Sequence, residues 1–392
     1  MFGKCLRERA RRSGFTGIIV DLRSMMINSS TSTSVCVPPF PIKEGKRMGV
    51  EWAELPQEII ELISKRLTIY SDYLRFRCVC RTWNSCVPKT PLHLPPQLPW
   101  LILSHNSFFD PSTHKIHHLN LPLSASPHTS IRGSSFGWLV ILHQISEVLL
   151  LNPITHVSLF LPSLYTFPKF VRERLGYNLF LNKVVLSSSP SLSDDFAAFV
   201  ILNCRQLAFC RKGYDSWVLF NVKGNHLWVD VVSKNGLFYV VSTKGMIAVC
   251  DVEGPRVSII ETTSSVNLSN ETFCVMFSGE DMLLVSRRLL QDVSHRERFR
   301  ILKMNWNMLN WKEIHTLGEN MLFVGWKSSV SFSTVDFAGC SPNRIYFTND
   351  IFRKDDLGIF SLSDESVELL AHYTLTYDLR LGCPIWLTPN PQ

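Results

Sequence analysis

From about residue 97 onward the chain repeats one local theme. A short run of β-branched, aromatic and aliphatic residues ends in a turn residue, and another run follows. Ala197–Leu202, Gln206–Cys210 and Trp217–Asn221 form one set. Leu227–Val232, Leu237–Ser242 and Met246–Asp251 form a second, with Asn235-Gly236 and Lys244-Gly245 at the turns. Met282–Arg287, Phe299–Asn305, Trp311–Ile314, Arg344–Thr348 and Gly358–Leu362 continue it. Asn-Gly between two such runs is a strong hairpin signal, because both central turn positions need positive φ. Strands therefore arrive at intervals of roughly ten residues and pair as meanders. That is too much antiparallel sheet for one sandwich. A β-propeller stores it by radial repetition, at about 40–50 residues per blade, so 97–392 has room for about six blades. No Trp-Asp or double-glycine repeat marks the blades, so a large barrel or a pair of β-domains remains the alternative. Helical periods are scarce here, with Phe167 to Leu175 a weak candidate.

Residues 52–90 follow a different period. Leu55, Ile59, Ile63 and Leu67 recur every four residues, with Ile60 and Leu62 widening the stripe, the pattern of an amphipathic helix. Pro56 suits a first helical turn. Glu58 and Glu61 suit the positive end of the helix dipole, Lys65 and Arg66 the negative end. Ser71-Asp72 reads as the cap of a second helix carrying Tyr73, Leu74 and Phe76. A third segment holds Val79, Cys80 and Trp83, and Pro88 and Pro91 close the helical region. Three short helices make too small a core to stand alone, so the module leans on a partner or caps the next domain. Cys78 and Cys80 lie too close for a paired metal site and read as small buried hydrophobes.

Charge separates a third region. The chain of 392 residues has a formal charge of +7. Residues 1–47 hold nine basic and three acidic side chains, leaving 31 basic and 30 acidic in the rest. The body is thus nearly neutral, which removes the case for a nucleic-acid or membrane partner. The basic run Arg7–Arg12 also lacks the interleaved aromatics of a nucleic-acid surface. The tail, basic and rich in Ser, reads as a disordered extension, as a stretch upstream of a true start at Met48, or as an organellar transit peptide. No apolar run reaches the roughly 18 residues that cross a bilayer. Eleven scattered cysteines argue for a reducing compartment rather than a disulfide framework.

Catalytic constellations are absent. There is no Gly-x-Gly-x-x-Gly and no phosphate loop. His114, His117 and His118 lack further zinc ligands at fixed spacing and read as a loop cluster. Cys204, Cys210, Cys250 and Cys274 read as core. Asp194-Asp195 reads as a solvated turn rather than a general acid–base pair. Arg287-Arg288 and Arg296-Glu297-Arg298 read as an exposed loop. Asn28, Asn267 and Asn270 head glycosylation sequons that mean little without a secretory signal. The expectation is a chain with no catalytic residue, no metal and no cofactor.

Two resemblances sharpen this. Leu55-Pro56-Gln57-Glu58-Ile59-Ile60, Lys65-Arg66-Leu67 and Tyr73-Leu74-Arg75-Phe76-Arg77-Cys78-Val79-Cys80-Arg81-Thr82-Trp83 resemble an F-box in order and spacing. One departure is Thr68, where many members carry Pro. The resemblance implies docking on the Skp-type adaptor of a cullin–RING ubiquitin ligase. Leu55, Pro56, Ile59, Ile63, Leu67, Leu74, Val79 and Trp83 would supply the docking face or the packing behind it. Farther on, Gly133-Ser134-Ser135-Phe136-Gly137-Trp138-Leu139-Val140, Lys183-Val184-Val185-Leu186-Ser187-Ser188-Ser189-Pro190 and Asn343-Arg344-Ile345-Tyr346-Phe347-Thr348-Asn349-Asp350 resemble the plant domain of unknown function 295, a kelch-like domain. The expected organisation is a tail over 1–47, an F-box over 48–91 and a β-propeller-like domain over 97–392. The expected role is the substrate-recognition subunit of an SCF-type ligase, in cytoplasm or nucleus, with an unknown protein target. The alternatives are an organelle-targeted β-propeller-like protein with a vestigial F-box, in mitochondrion or plastid, and a glycan-processing propeller that lacks its carboxylate pair.

Overall fold

The computed structural model describes residues 54–390, apart from 68–69, 89–90, 92, 94–96, 123–128, 145, 168–180, 264–271, 290–296, 338, 349–356 and 371–383. Three helices come first: α1 (Gln57–Lys65), α2 (Tyr70–Arg77) and α3 (Arg81–Cys86). Six sheets follow.

The second blade is β4 (Ser130–Ser135), β5 (Trp138–His143), β6 (Glu147–Leu151) and β7 (Ser158–Leu161). The third is β8 (Leu181–Leu186), β9 (Ala197–Leu202), β10 (Gln206–Arg211) and β11 (Val218–Leu219). The fourth is β12 (Trp228–Lys234), β13 (Leu237–Ser242), β14 (Ile247–Asp251) and β15 (Arg256–Ile260). The fifth is β16 (Thr272–Ser278), β17 (Asp281–Leu289), β18 (Glu297–Asn305) and β19 (Asn310–Ile314). All four are plain antiparallel meanders.

The first and sixth blades depart from this plan. The first joins β1 (Trp100–Ser104), β2 (Ser107–Asp110) and β3 (Lys115–His118) to β25 (Ile385–Leu387) from the far end of the chain. β25 pairs antiparallel with β1, Leu101 opposite Trp386, and closes the ring. The sixth contains β20 (Asn320–Val324), β21 (Ser329–Ser333), β22 (Arg344–Phe347), β23 (Gly358–Ser361) and β24 (Val367–Leu369), in the order β21-β20-β22-β23-β24. Here β20 and β22 run parallel. The result is a six-bladed β-propeller behind a short helical module; a barrel or two separate β-domains is excluded.

Between blades the core is apolar and aromatic. Phe199, Phe209, Phe238 and Trp228 fill the seam of the third and fourth blades. Across the sixth and first, Phe323 stacks on Tyr346 and meets Trp386 edge-on. Alternate residues of β9 serve the two flanking seams, which is why every one of its positions is buried. Gly133 marks a close approach of two blades: a Cβ there would strike the carbonyl of Val184 on β8. The Asn235-Gly236 turn has φ of 51° and 78°, as a two-residue hairpin of this kind requires.

Tyr70 and Leu74 of α2 belong to the same buried cluster as Trp100, Ile102, Phe108, Leu139 and Leu387. Arg75 also donates to the His118 carbonyl at 3.4 Å. The helices and blades accordingly form one compact unit, Ala53–Gln392.

Several expectations are corrected. α2 begins at Tyr70, so Ser71-Asp72 lies inside the first turn rather than capping it. Pro56 precedes the first turn of α1, its carbonyl accepting from Ile59 and Ile60. Only Val218–Leu219 of the run Trp217–Asn221 pairs as strand. Trp217 turns inward and donates to the Pro162 carbonyl at 2.7 Å. Leu227 lies exposed before β12. Cys78 is exposed and Cys80 half-buried; Cys80 Sγ caps α3 by accepting from the Trp83 amide. Cys204 sits half-buried in a turn at φ 55°. His117 and His118 lie on β3, with His117 stacked on Phe108. Arg287 is buried on β17, its guanidinium 4.8 Å from the Phe347 ring and donating to the Thr348 carbonyl. An aromatic face from a distant strand makes that burial tolerable. Phe167 caps a 3-10 turn over Leu164–Thr166. Residues 168–175, the tail 1–47 with Met48 and Asn28, Thr68, Asn267, Asn270 and Arg296 lie outside the described residues, as do the side chains of Arg288, Glu297 and Arg298.

Candidate functional site

The F-box-like residues divide into two roles. On α1, Ile60 and Ile63 are buried. Leu74 and Trp83 are buried too, Trp83 against Phe76 at 4.4 Å between ring centroids. These hold the module together or seat it on the first blade. Leu55, Leu67 and Val79 are half-buried. Pro56 and Ile59 face solvent, Ile59 being 38% exposed. Leu62, not among the expected docking residues, is 51% exposed and completes the stripe. The spacing 56–59–62 was the available signal: three residues apart puts them on one helix face. A solvent-facing apolar stripe on a helix whose opposite face is already packed suits a partner surface.

The propeller carries a second candidate. A cavity of about 370 Å³ runs along the axis between the innermost strands. Its polar groups are mostly turned to the frame. Ser134 donates to the Trp386 carbonyl at 2.7 Å, and Ser233 to the Leu186 carbonyl at 2.7 Å. Lys183 of β8 forms a buried ion pair with Asp230 of β12, side chains 9% and 3% exposed. Asp230 also accepts from the amides of Val231 and Val275, each at 2.8 Å. One carboxylate thus links three consecutive blades. What remains facing the cavity is largely Val185, Val231, Val275 and Val330, with Phe136, Phe277 and Phe332.

Nucleophilic groups here are quiet. Burial pushes the Cys250 and Cys274 thiols up to about 12; the Cys210 thiol is raised as well, for the same reason. A thiol held protonated is a poor nucleophile and metal ligand. Among the described residues no group of three or more His, Cys, Asp or Glu side chains could hold a metal. Asp194 and Asp195 pair with Lys212 and Arg211 on an exposed turn. No helix among the described residues is long and apolar enough to cross a membrane.

Known proteins resemble the chain across both regions. F-box protein SKIP23 of Arabidopsis thaliana is 25% identical over 406 residues, covering 88% of this chain and 97% of that protein. F-box/kelch-repeat protein KIB1 of the same plant is 26% identical over 338 residues, covering 81% and 83%. Among solved structures, the β-propeller domain of Cps50 (Swd1) from Myceliophteria thermophila aligns with TM-score 0.34 and 12% identity over 67% of this chain and 78% of that one. The F-box domain model matches residues 52–94, around the exposed stripe of α1. The KIB1-4 β-propeller model matches residues 108–361, from the first blade into the sixth, and the chain therefore belongs to that family, with an F-box ahead of the propeller.

Proposed function

We propose that this chain is the substrate-recognition subunit of an SCF-type cullin–RING ubiquitin ligase. The F-box docks the Skp-type adaptor, and the propeller, whose motifs also resemble the plant domain of unknown function 295, holds a target protein. F-box proteins are adaptor subunits and in general non-catalytic. The chain's contribution to ubiquitination is then effective concentration, keeping target lysines near the charged conjugating enzyme. The observation that carries the reading is the split on α1: Ile60 and Ile63 inside, Pro56, Ile59 and Leu62 outside. Leu55 and Leu67 flank that surface; Ile63, Leu74, Val79 and Trp83 support it from behind. Cytoplasm or nucleus is the place of work that fits such a subunit.

A pull-down with a plant Skp adaptor tests it. The wild-type chain captures the adaptor, and Ile59→Asp with Leu62→Asp weakens capture at least tenfold, as for loss of an interface anchor. Both positions face solvent, so the propeller's melting temperature stays unchanged. Full capture by the double variant removes the assigned face.

A further inference from the structure

The target-binding reading can be narrowed to one end of the propeller. In the second to fifth blades the first strand of each is innermost. Antiparallel alternation therefore puts their first-to-second and third-to-fourth connections at one common end. The axial cavity opens there. On β4, β8, β12 and β16 its lining residues lie from the middle of each strand towards its end: Ser134 and Ser135, Lys183 and Val185, Val231 to Ser233, and Val275 to Phe277. Ser331 of β21 donates to Ser278, the last residue of β16, which brings Phe332 to the same mouth. Phe136, in the turn after β4, is 45% exposed beside it.

An aromatic track leaves this mouth. Phe277 meets Tyr239 edge-on at 5.2 Å, and Tyr239 meets Trp306 at 6.1 Å. Trp306 begins the third-to-fourth connection of the fifth blade and is 38% exposed, with Met308 behind it at 66%. Carboxylates border the track. Lys234 lies over the Phe277 ring and pairs with Glu280, the lysine side chain 16% exposed and the glutamate 90%. Arg211 holds both Asp195 and Glu253, at 22% against 72% and 70%. In these two groups the cations are sunk and the carboxylates project, so Glu280, Glu253 and Asp195 stand out beside the apolar slot; at the same end Arg256 is exposed, and Lys212 and Lys303 are paired with Asp194 and Asp281.

We propose that this end takes an extended basic segment of the ligase target, with an aromatic or aliphatic residue among lysines or arginines. The apolar residue enters between Phe136, Phe277 and Phe332. The chain runs out over Tyr239 and Trp306, and its cations meet Glu280, Glu253 and Asp195. A cavity of about 370 Å³ is the size of a ligand pocket and admits a side chain or two rather than a folded element. The inference rests on the receptor reading above.

Phage-displayed random 12-residue peptides, selected on the full chain held by its Skp adaptor, test the inference. Enriched clones carry an aromatic or large aliphatic residue with two or more basic ones. They bind about tenfold more weakly to Trp306→Ser, and again to Glu280→Lys. Phe160→Ser, exposed on the outer strand β7, leaves them unchanged. Acidic clones, clones indifferent to both rim substitutions, or no enrichment at all overturn the assignment. So does self-association of the chain abolished by the same two variants, since the occupant would then be a second copy. Capture of the chain by the adaptor is scored in the same preparation, so loss of the receptor reading is seen separately from loss of the peptide site.

Discussion

Cys250 and Cys274 show how burial alone sets chemistry at single positions. Their ordinary value is 9.0, and in the fold each is pushed up to about 12. An unfolded chain therefore loses these protons first as pH rises. The stability they contribute is fully present below pH 9 and is lost between 9 and about 12. Tyr346, raised by burial to about 12, acts in the same direction. Thermal melts should fall steeply across that window. At pH 8, a maleimide should label exposed Cys78 in the native protein and reach Cys250 and Cys274 only after unfolding. Mass mapping that found Cys274 labelled natively as fast as Cys78 would contradict the burial. The sequence placed Cys250 and Cys274 in the core because they stood inside apolar runs. It misplaced Cys78 because a position just past the end of a short helix has no neighbours that reveal which side is covered.

Strands and turns were legible where their causes are local. Leu237–Ser242 and Ala197–Leu202 stand where their runs of β-branched and aromatic residues put them, and Asn235-Gly236 makes the turn its φ preferences demand. The sixth blade was not legible. Its innermost strand comes second in the chain, and β20 and β22 lie parallel. That order is decided by which seam each strand fills, not by any residue in the turns between them. The burial of Arg287 was hidden for the same reason, since Phe347 lies sixty positions onward. The exposed stripe of α1 was half legible: the period was visible, but which flank packs inside the module was not. Two glycines separate local from long-range cause. Gly236 has open space around it, so Gly236→Ala costs only its left-handed conformation, about 1 kcal/mol. Gly133→Ala must push β4 away from Val184 on β8 and should cost more, about 1–3 kcal/mol of overpacking. Urea denaturation of the two variants gives the comparison, and equal losses would mean that the strands at Gly133 yield freely.

The whole molecule is held shut by non-local contacts of two kinds. One is apolar: β25 brings Trp386, 1% exposed, into the seam of the first and sixth blades, with its amide on Ser328 and its indole N–H on the Val324 carbonyl. The other is ionic. Asp230→Ala leaves Lys183 charged and without its buried carboxylate, and should cost about 3–5 kcal/mol. Replacing both, Lys183→Met with Asp230→Leu, should recover most of that loss, because the desolvation penalty leaves with the pair. Denaturation of single and double variants decides it; a double variant as weak as Asp230→Ala would mean the carboxylate's bonds to Val231 and Val275 matter more than its charge. The packing of Tyr70 and Leu74 against Trp100 and Ile102 has a different consequence. A receptor joined to its adaptor by a loose tether would sweep a target through many orientations and expose many of its lysines in turn. Here the hinge is filled with side chains. For a ligase subunit of the proposed kind, the reach from adaptor to target is a fixed ruler. The choice of lysine then follows from distance and angle rather than from the sequence around it.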